Sequence, residues 1–147
     1  MITVLLADDH ALVRKSLSFL LEAAGDIQIV ATASNGAEAI LQASFYCPDV
    51  AVIDISMPLI DGIQAARQIC TGCPHTRVMM LSVDNNPEFV RRALQGGASG
   101  YVLKETAGSD LVAAVRTLYK GSRYFSEKIV GLAEPYTQQK GNDPLPI

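Results

Sequence analysis

The chain of 147 residues carries no surplus of positive charge: 12 Lys and Arg stand against 15 Asp and Glu, a net charge of −3. Surfaces that hold polyanions are built from clustered cations, so direct nucleic-acid binding by these residues is not expected. No apolar stretch reaches the roughly 18 residues of a membrane span, and no basic segment opens the chain. Neither a membrane helix nor a signal peptide is expected, which places the protein in the cytoplasm. Cysteine is scarce and odd in number, at Cys47, Cys70 and Cys73, so reduced thiols are the default. Cys70-Thr71-Gly72-Cys73 has no second C-x-x-C to complete a zinc site, and it falls at a helix end, where thiolate gains no help from helix N–H groups. Neither G-x-G-x-x-G nor G-x-x-x-x-G-K-[ST] occurs, which removes the common nucleotide cradles. Internal repeats and low-complexity segments are absent too.

What is there is ordered by the stretch Val50 to Gly62, V-A-V-I-D-I-S-M-P-L-I-D-G. Four apolar residues lead into Asp54, and Pro58 and Asp61-Gly62 break the pattern. This reads as a strand buried on both faces that ends in a carboxylate. Around it, apolar runs alternate with helical periodicity. Strands are expected over Thr3–Ala7, Ile27–Ala33, Val50–Asp54, Arg77–Ser82 and Tyr101–Leu103. Helical faces are expected from Leu12, Val13, Leu17, Leu20 and Leu21; from Ala39, Ile40 and Ala43; from Ile63, Ala66, Ile69 and Cys70 within Gly62–Cys70; from Phe89, Val90, Ala93 and Leu94 after Pro87; and from Leu111, Val112, Val115, Leu118 and Tyr119. Strands that are apolar throughout and alternate with helices imply a parallel sheet covered on both sides, an open α/β sandwich. After Gly121 a short helix over Glu127–Ala133 is expected, followed by a Gln-, Pro- and Gly-rich linker to Ile147.

In open parallel sheets the site lies at the carboxyl ends of the strands. Those ends carry Asp8-Asp9, Asp54, Ser82 and Lys104. Singly, Asp9 reads equally well as a helix cap, Ser82 as a turn residue and Lys104 as a surface lysine; their joint placement on one rim favours chemistry. Crowded carboxylates repel unless a cation intervenes. Oxygen ligation by Asp9, Asp54 and a loop carbonyl suits a hard cation such as Mg²⁺. Asp54 is then a candidate nucleophile towards phosphorus, with Lys104 and the Ser82 hydroxyl helping to hold the transferred charge.

These residues, with Met57-Pro58 and Gly62 behind Asp54 and the run Gly97-Ala98-Ser99-Gly100-Tyr101-Val102-Leu103-Lys104, resemble the receiver domain of two-component response regulators over about Ile2 to Gly121. The run is similar to the NarL/FixJ type, whose receivers precede a LuxR-type helix-turn-helix domain. The resemblance implies a flavodoxin-like (βα)5 doubly wound sheet with strand order 2-1-3-4-5. It also implies phosphorylation of Asp54 by a sensor histidine kinase that docks near Leu12, Val13 and Arg14. Mg²⁺ would be held by Asp9, Asp54 and the backbone carbonyl of Ser56, with Asp8 acting through water, and Ser82 and Tyr101 would form the switch. Homodimerisation on phosphorylation, and DNA contact only through a further domain after residues 122–147, follow from the same likeness. Glu105 stands where many receivers have a proline after the lysine, so a cis peptide there is not assumed. Two other readings stand beside this one: a stand-alone receiver acting through proteins, and a haloacid-dehalogenase-like phosphatase. The latter would show D-x-D at the nucleophile, whereas this chain has Asp54-Ile55-Ser56.

Overall fold

In the computed structural model, the backbone of residues 1–141 and the side chains of residues 1–137 are described. The elements run β1 (Ile2–Ala7), α1 (Ala11–Glu22), β2 (Ile27–Ala33), α2 (Gly36–Tyr46), β3 (Val50–Asp54), α3 (Gly62–Gly72), β4 (Arg77–Ser82), α4 (Pro87–Gln95), β5 (Gly100–Leu103), a single 3-10 turn at Lys104–Thr106, α5 (Ala107–Tyr119), β6 (Tyr124–Phe125) and α6 (Glu127–Gly141). The sheet order is β2-β1-β3-β4-β5-β6, and every pairing is parallel. The expected order 2-1-3-4-5 is present, extended by one short strand.

Each central strand is apolar on both faces because helices cover both. One core layer holds Leu5, Ile53, Met80 and Tyr101 with Ile63, Ile69 and Val90. The other holds Leu6, Val52, Met79 and Val102 with Leu21, Leu111 and Leu118. Alternate residues of one strand thus serve opposite layers, as strand geometry requires. Helix starts are local: Asn35 Oδ1 accepts from Glu38 N at 2.8 Å and Asp61 Oδ1 from Gln64 N at 2.9 Å, both capping bonds. Pro87 opens α4 behind Asn86.

Three expectations are corrected. Leu12 is 77% exposed and Tyr119 52%, so α1 and α5 bury narrower faces than their apolar spacing suggests. The helix expected to stop at Ala133 continues through Pro135 to Gly141. Up to Gly141, the segment read as linker is therefore helical. Ile129 and Ala133 are buried in the first layer, while residues 142–147 lie outside the described residues. Peptide bonds are trans among the described residues, Lys104–Glu105 included.

Asp110 ties the sixth strand and helix to the body. Its carboxylate accepts from Thr106 Oγ1 at 2.8 Å, Tyr124 Oη at 2.9 Å and Ser126 Oγ at 3.0 Å. Burial pushes its pKa upward, but these three hydrogen bonds outweigh that and hold it below the ordinary value. A carboxylate depressed in the folded state stabilises above its unfolded pKa, and that stability is lost as pH falls through the lower folded one. Asp110→Asn should therefore lose stability relative to wild type at pH 6, with the difference shrinking as both are acidified below 3.8; urea melts across pH test this. At Gly62 a Cβ would stand 2.0 Å from the Asp54 carbonyl oxygen. Gly62→Ala must displace backbone beside Asp54 and should cost about 3 kcal/mol or more, measured by the same melts.

Candidate phosphoryl and metal site

The ladder brings the rim residues together. Asp8 follows β1, Asp54 ends β3, Ser82 ends β4, and Lys104 follows β5; with Asp54 opposite Leu81 and Ser82 opposite Leu103, these ends are level. Asp8 is fully buried and Asp54 is 2% exposed. Lys104 Nζ lies 3.0 Å from Asp8 Oδ2 and 3.1 Å from Asp54 Oδ2, so one cation bridges two buried carboxylates. Their other oxygens are held by backbone: Asp8 Oδ1 accepts from His10 N at 2.8 Å, and Asp54 Oδ1 from Ser56 N at 3.2 Å. Asp9 is partly exposed and does not cap α1, whose cap residue His10 makes no side-chain capping bond to the helix.

Charge does not balance in this cluster. Asp8, Asp9 and Asp54 face one lysine, and burial raises the pKa of Asp54, with Asp8 adding to the rise against Lys104. Burial would lower Lys104, but its bonds and charge contacts with Asp8 and Asp54 carry it above its ordinary value. Asp8 Oδ2 is buried and has no partner but the Lys104 ammonium, 3.0 Å away, among the described residues. An oxygen so placed, beside excess negative charge, fits a hard cation. One ligand atom each from Asp8, Asp9, His10 and Asp54 lies within 4.8 Å of the others. His10, which the sequence reading did not single out, joins this group, its Nδ1 3.1 Å from Asp9 Oδ1; its position directly after the paired aspartates was the available signal.

Ser82 and Tyr101 form an adjoining group. Ser82 Oγ donates to the Asp84 carbonyl at 3.0 Å and accepts from Asp84 N at 3.2 Å, so its turn role is real. Tyr101 is fully buried, and its hydroxyl donates to the same carbonyl at 3.3 Å. Behind Asp54, the loop to α3 bends through Leu59 at φ 71, a left-handed conformation that costs a leucine energy. Gly36 of α2 makes room for that loop, since a Cβ there would meet the Ile60 carbonyl oxygen at 1.9 Å.

Residues 4–116 match the family model described as the response regulator receiver domain. The chain belongs to that family. This receiver is 38% identical over 127 residues to the oxygen regulatory protein NreC of Staphylococcus aureus, an alignment covering 86% of this chain and 58% of NreC. Among solved structures it is similar to a LuxR-family two-component response regulator from an Aurantimonas species, with TM-score 0.85, 31% identity, and 92% and 97% of the two chains covered. It is also similar to a receiver described as that of NarL from Mycobacterium tuberculosis, with TM-score 0.78, 36% identity, and 82% and 97% covered. The receiver spans little more than half the length of NreC. No helix among the described residues is long and apolar enough to cross a membrane.

The raised pKa of Asp54 has a sign that can be measured. A carboxylate raised in the folded state contributes most below its unfolded pKa and loses that contribution as pH rises through the folded one. In metal-free buffer at pH 7.5, Asp54→Asn should therefore be more stable than wild type by about 1 kcal/mol, the scale of one relieved charge contact. The gap should narrow both on acidification towards 3.8 and on addition of Mg²⁺; thermal melts with and without chelator read both.

Proposed function

We propose that Asp54 of this receiver accepts a phosphoryl group from the phosphohistidine of a sensor histidine kinase, and that the modification switches an output carried by a longer protein. The observation that carries this is the single buried constellation Asp8, Asp54 and Lys104, with Asp9 at its rim and more negative charge than Lys104 can neutralise. An Asp54 oxygen attacks phosphorus as the phosphorus–nitrogen bond of the donor breaks, and the leaving imidazole nitrogen takes up a proton. Lys104, already between Asp8 and Asp54, is placed to hold one oxygen of the incoming group. Mg²⁺, held by Asp9, Asp54 and the Ser56 carbonyl with Asp8 behind it, would supply charge neutralisation that the lysine alone does not.

Ser82 turns from Asp84 towards the new phosphoryl oxygens in this reading. Because Tyr101 shares the Asp84 carbonyl with Ser82, the change passes to the buried tyrosine and so to β5 and α4. A groove of about 440 Å³ beside α1, lined by Leu12, Arg14, Lys15 and Thr32, lies where the kinase is expected to dock. The LuxR-family regulators to which this receiver is similar support a DNA-binding output, and dimerisation on phosphorylation belongs to the same proposal.

Incubation with Mg²⁺ and a small phosphodonor should add one phosphoryl group to wild type and none to Asp54→Asn, read by intact mass. Sedimentation of the phosphorylated form should show a dimer. Undiminished labelling of the Asn variant would sink the assignment, and sustained multiple-turnover hydrolysis of phosphoesters would favour a phosphatase.

A further inference from the structure

The three cysteines take no part in the acidic site, and the ladder between β3 and β4 decides where they stand. Val50 pairs with Arg77. Just ahead of that pair, Thr76 Oγ1 donates to the Pro48 carbonyl at 2.6 Å and Arg77 N to the Asp49 carbonyl at 2.9 Å. The segments that enter the two strands are thereby held side by side. Cys47 and Cys73 sit at the heads of these segments, as C-terminal caps of α2 and α3.

They meet at one oxygen. The Ala43 carbonyl accepts from Cys47 N at 2.8 Å and from Cys73 Sγ at 3.4 Å. The thiols are also neighbours of each other: burial is the main cause that pushes the Cys73 thiol up, and contact with Cys47 adds to it. Cys47 is exposed, whereas Cys73 is buried. The Sγ of Cys70, the sequence partner of Cys73 in C-x-x-C, would stand 3.0 Å from a Cβ on Gly97, beyond α4. The fold thus joins a pair, Cys47 and Cys73, that the sequence spacing does not suggest.

We propose that Cys47 and Cys73 are a redox pair that closes into a reversible intramolecular disulfide on exposure to a small oxidised disulfide such as glutathione disulfide. The exposed Cys47 thiolate attacks one glutathione sulfur, forming a mixed disulfide and releasing one glutathione. Cys73, losing its proton to solvent, then attacks the Cys47 sulfur and releases the second. Two cysteines are oxidised, and one glutathione disulfide is reduced to two thiols. The closed loop runs from Cys47 to Cys73 and contains β3 with Asp54, so the link joins the C-terminal ends of α2 and α3, which pack on each other, at the end of the sheet away from the acidic rim. Cross-linking restricts the unfolded chain and raises stability.

The test is incubation of the 147-residue chain in graded glutathione redox buffers, acid quenching with alkylation, and peptide mapping without reduction. A Cys47–Cys73 peptide, loss of two hydrogens per chain, and a monomer on non-reducing electrophoresis are expected. Cys70→Ser should form the same link, and Cys73→Ser should stop at glutathione on Cys47. The melting temperature of the oxidised wild type should rise and return with dithiothreitol. A Cys70–Cys73 link, cross-links only between chains, glutathione retained on wild-type Cys47 without closure, or three free thiols in the most oxidising buffer would each overturn the proposal. If Cys73→Ser fails to fold, Cys47→Ser serves instead: it should form no internal disulfide, and a Cys70–Cys73 link in it counts against the pair.

Discussion

Lys104 stands between two carboxylates that water barely reaches, and the rest of the rim is arranged around that shortage of positive charge. A buried ion pair is weak support for stability, because desolvation offsets much of the attraction. Here the imbalance is greater still, with Asp8 and Asp54 both within about 3 Å of one ammonium and Asp9 beside them. The fold tolerates it because four parallel strands end level and backbone N–H groups of the loops that follow β1 and β3, at His10 and Ser56, take the spare oxygens. A site that is short of positive charge in its resting form is one that a cation and a phosphoryl group can rearrange.

The consequences run outward along β4 and β5. Ser82 and Tyr101 share the Asp84 carbonyl, and Ser126 N and Oγ reach the Tyr101 carbonyl and the Leu103 N–H. The strand that carries the lysine is therefore bonded on one side to the acidic rim and on the other to the start of α6. Asp110 fixes that second side with three hydrogen bonds. Lys104, which contacts Asp54, thus directly follows a strand that is bonded to the start of α6.

Much of this was readable in advance because strand-end chemistry and strand hydrophobicity are both local. Asp54, Ser82 and Lys104 each directly end or follow a run that could be nothing but buried, so their convergence followed from the class of sheet. Other features were not readable for physical reasons. Leu12 and Tyr119 fit their helical stripes but lie at the edges, where spacing cannot tell a core position from a rim position. The helix expected to cover only Glu127–Ala133 passes through Pro135, with Ile129 and Ala133 packed in the core beside α4 outweighing a local breaker. His10 was passed over because an imidazole after two aspartates gains meaning only once the loop turns it back on them.

The sequence by itself determined the βα alternation, the parallel sheet and which polar residues stand at the strand ends, since apolar periodicity and breaker positions act within a few residues. Tertiary structure decided which groups touch: that one lysine serves two aspartates, that no side chain fits at Gly62 beside the Asp54 carbonyl, and that Cys73 and Cys47 meet at one carbonyl oxygen. Those facts depend on strand register and helix packing, which bring together residues tens of positions apart and leave no trace in local spacing.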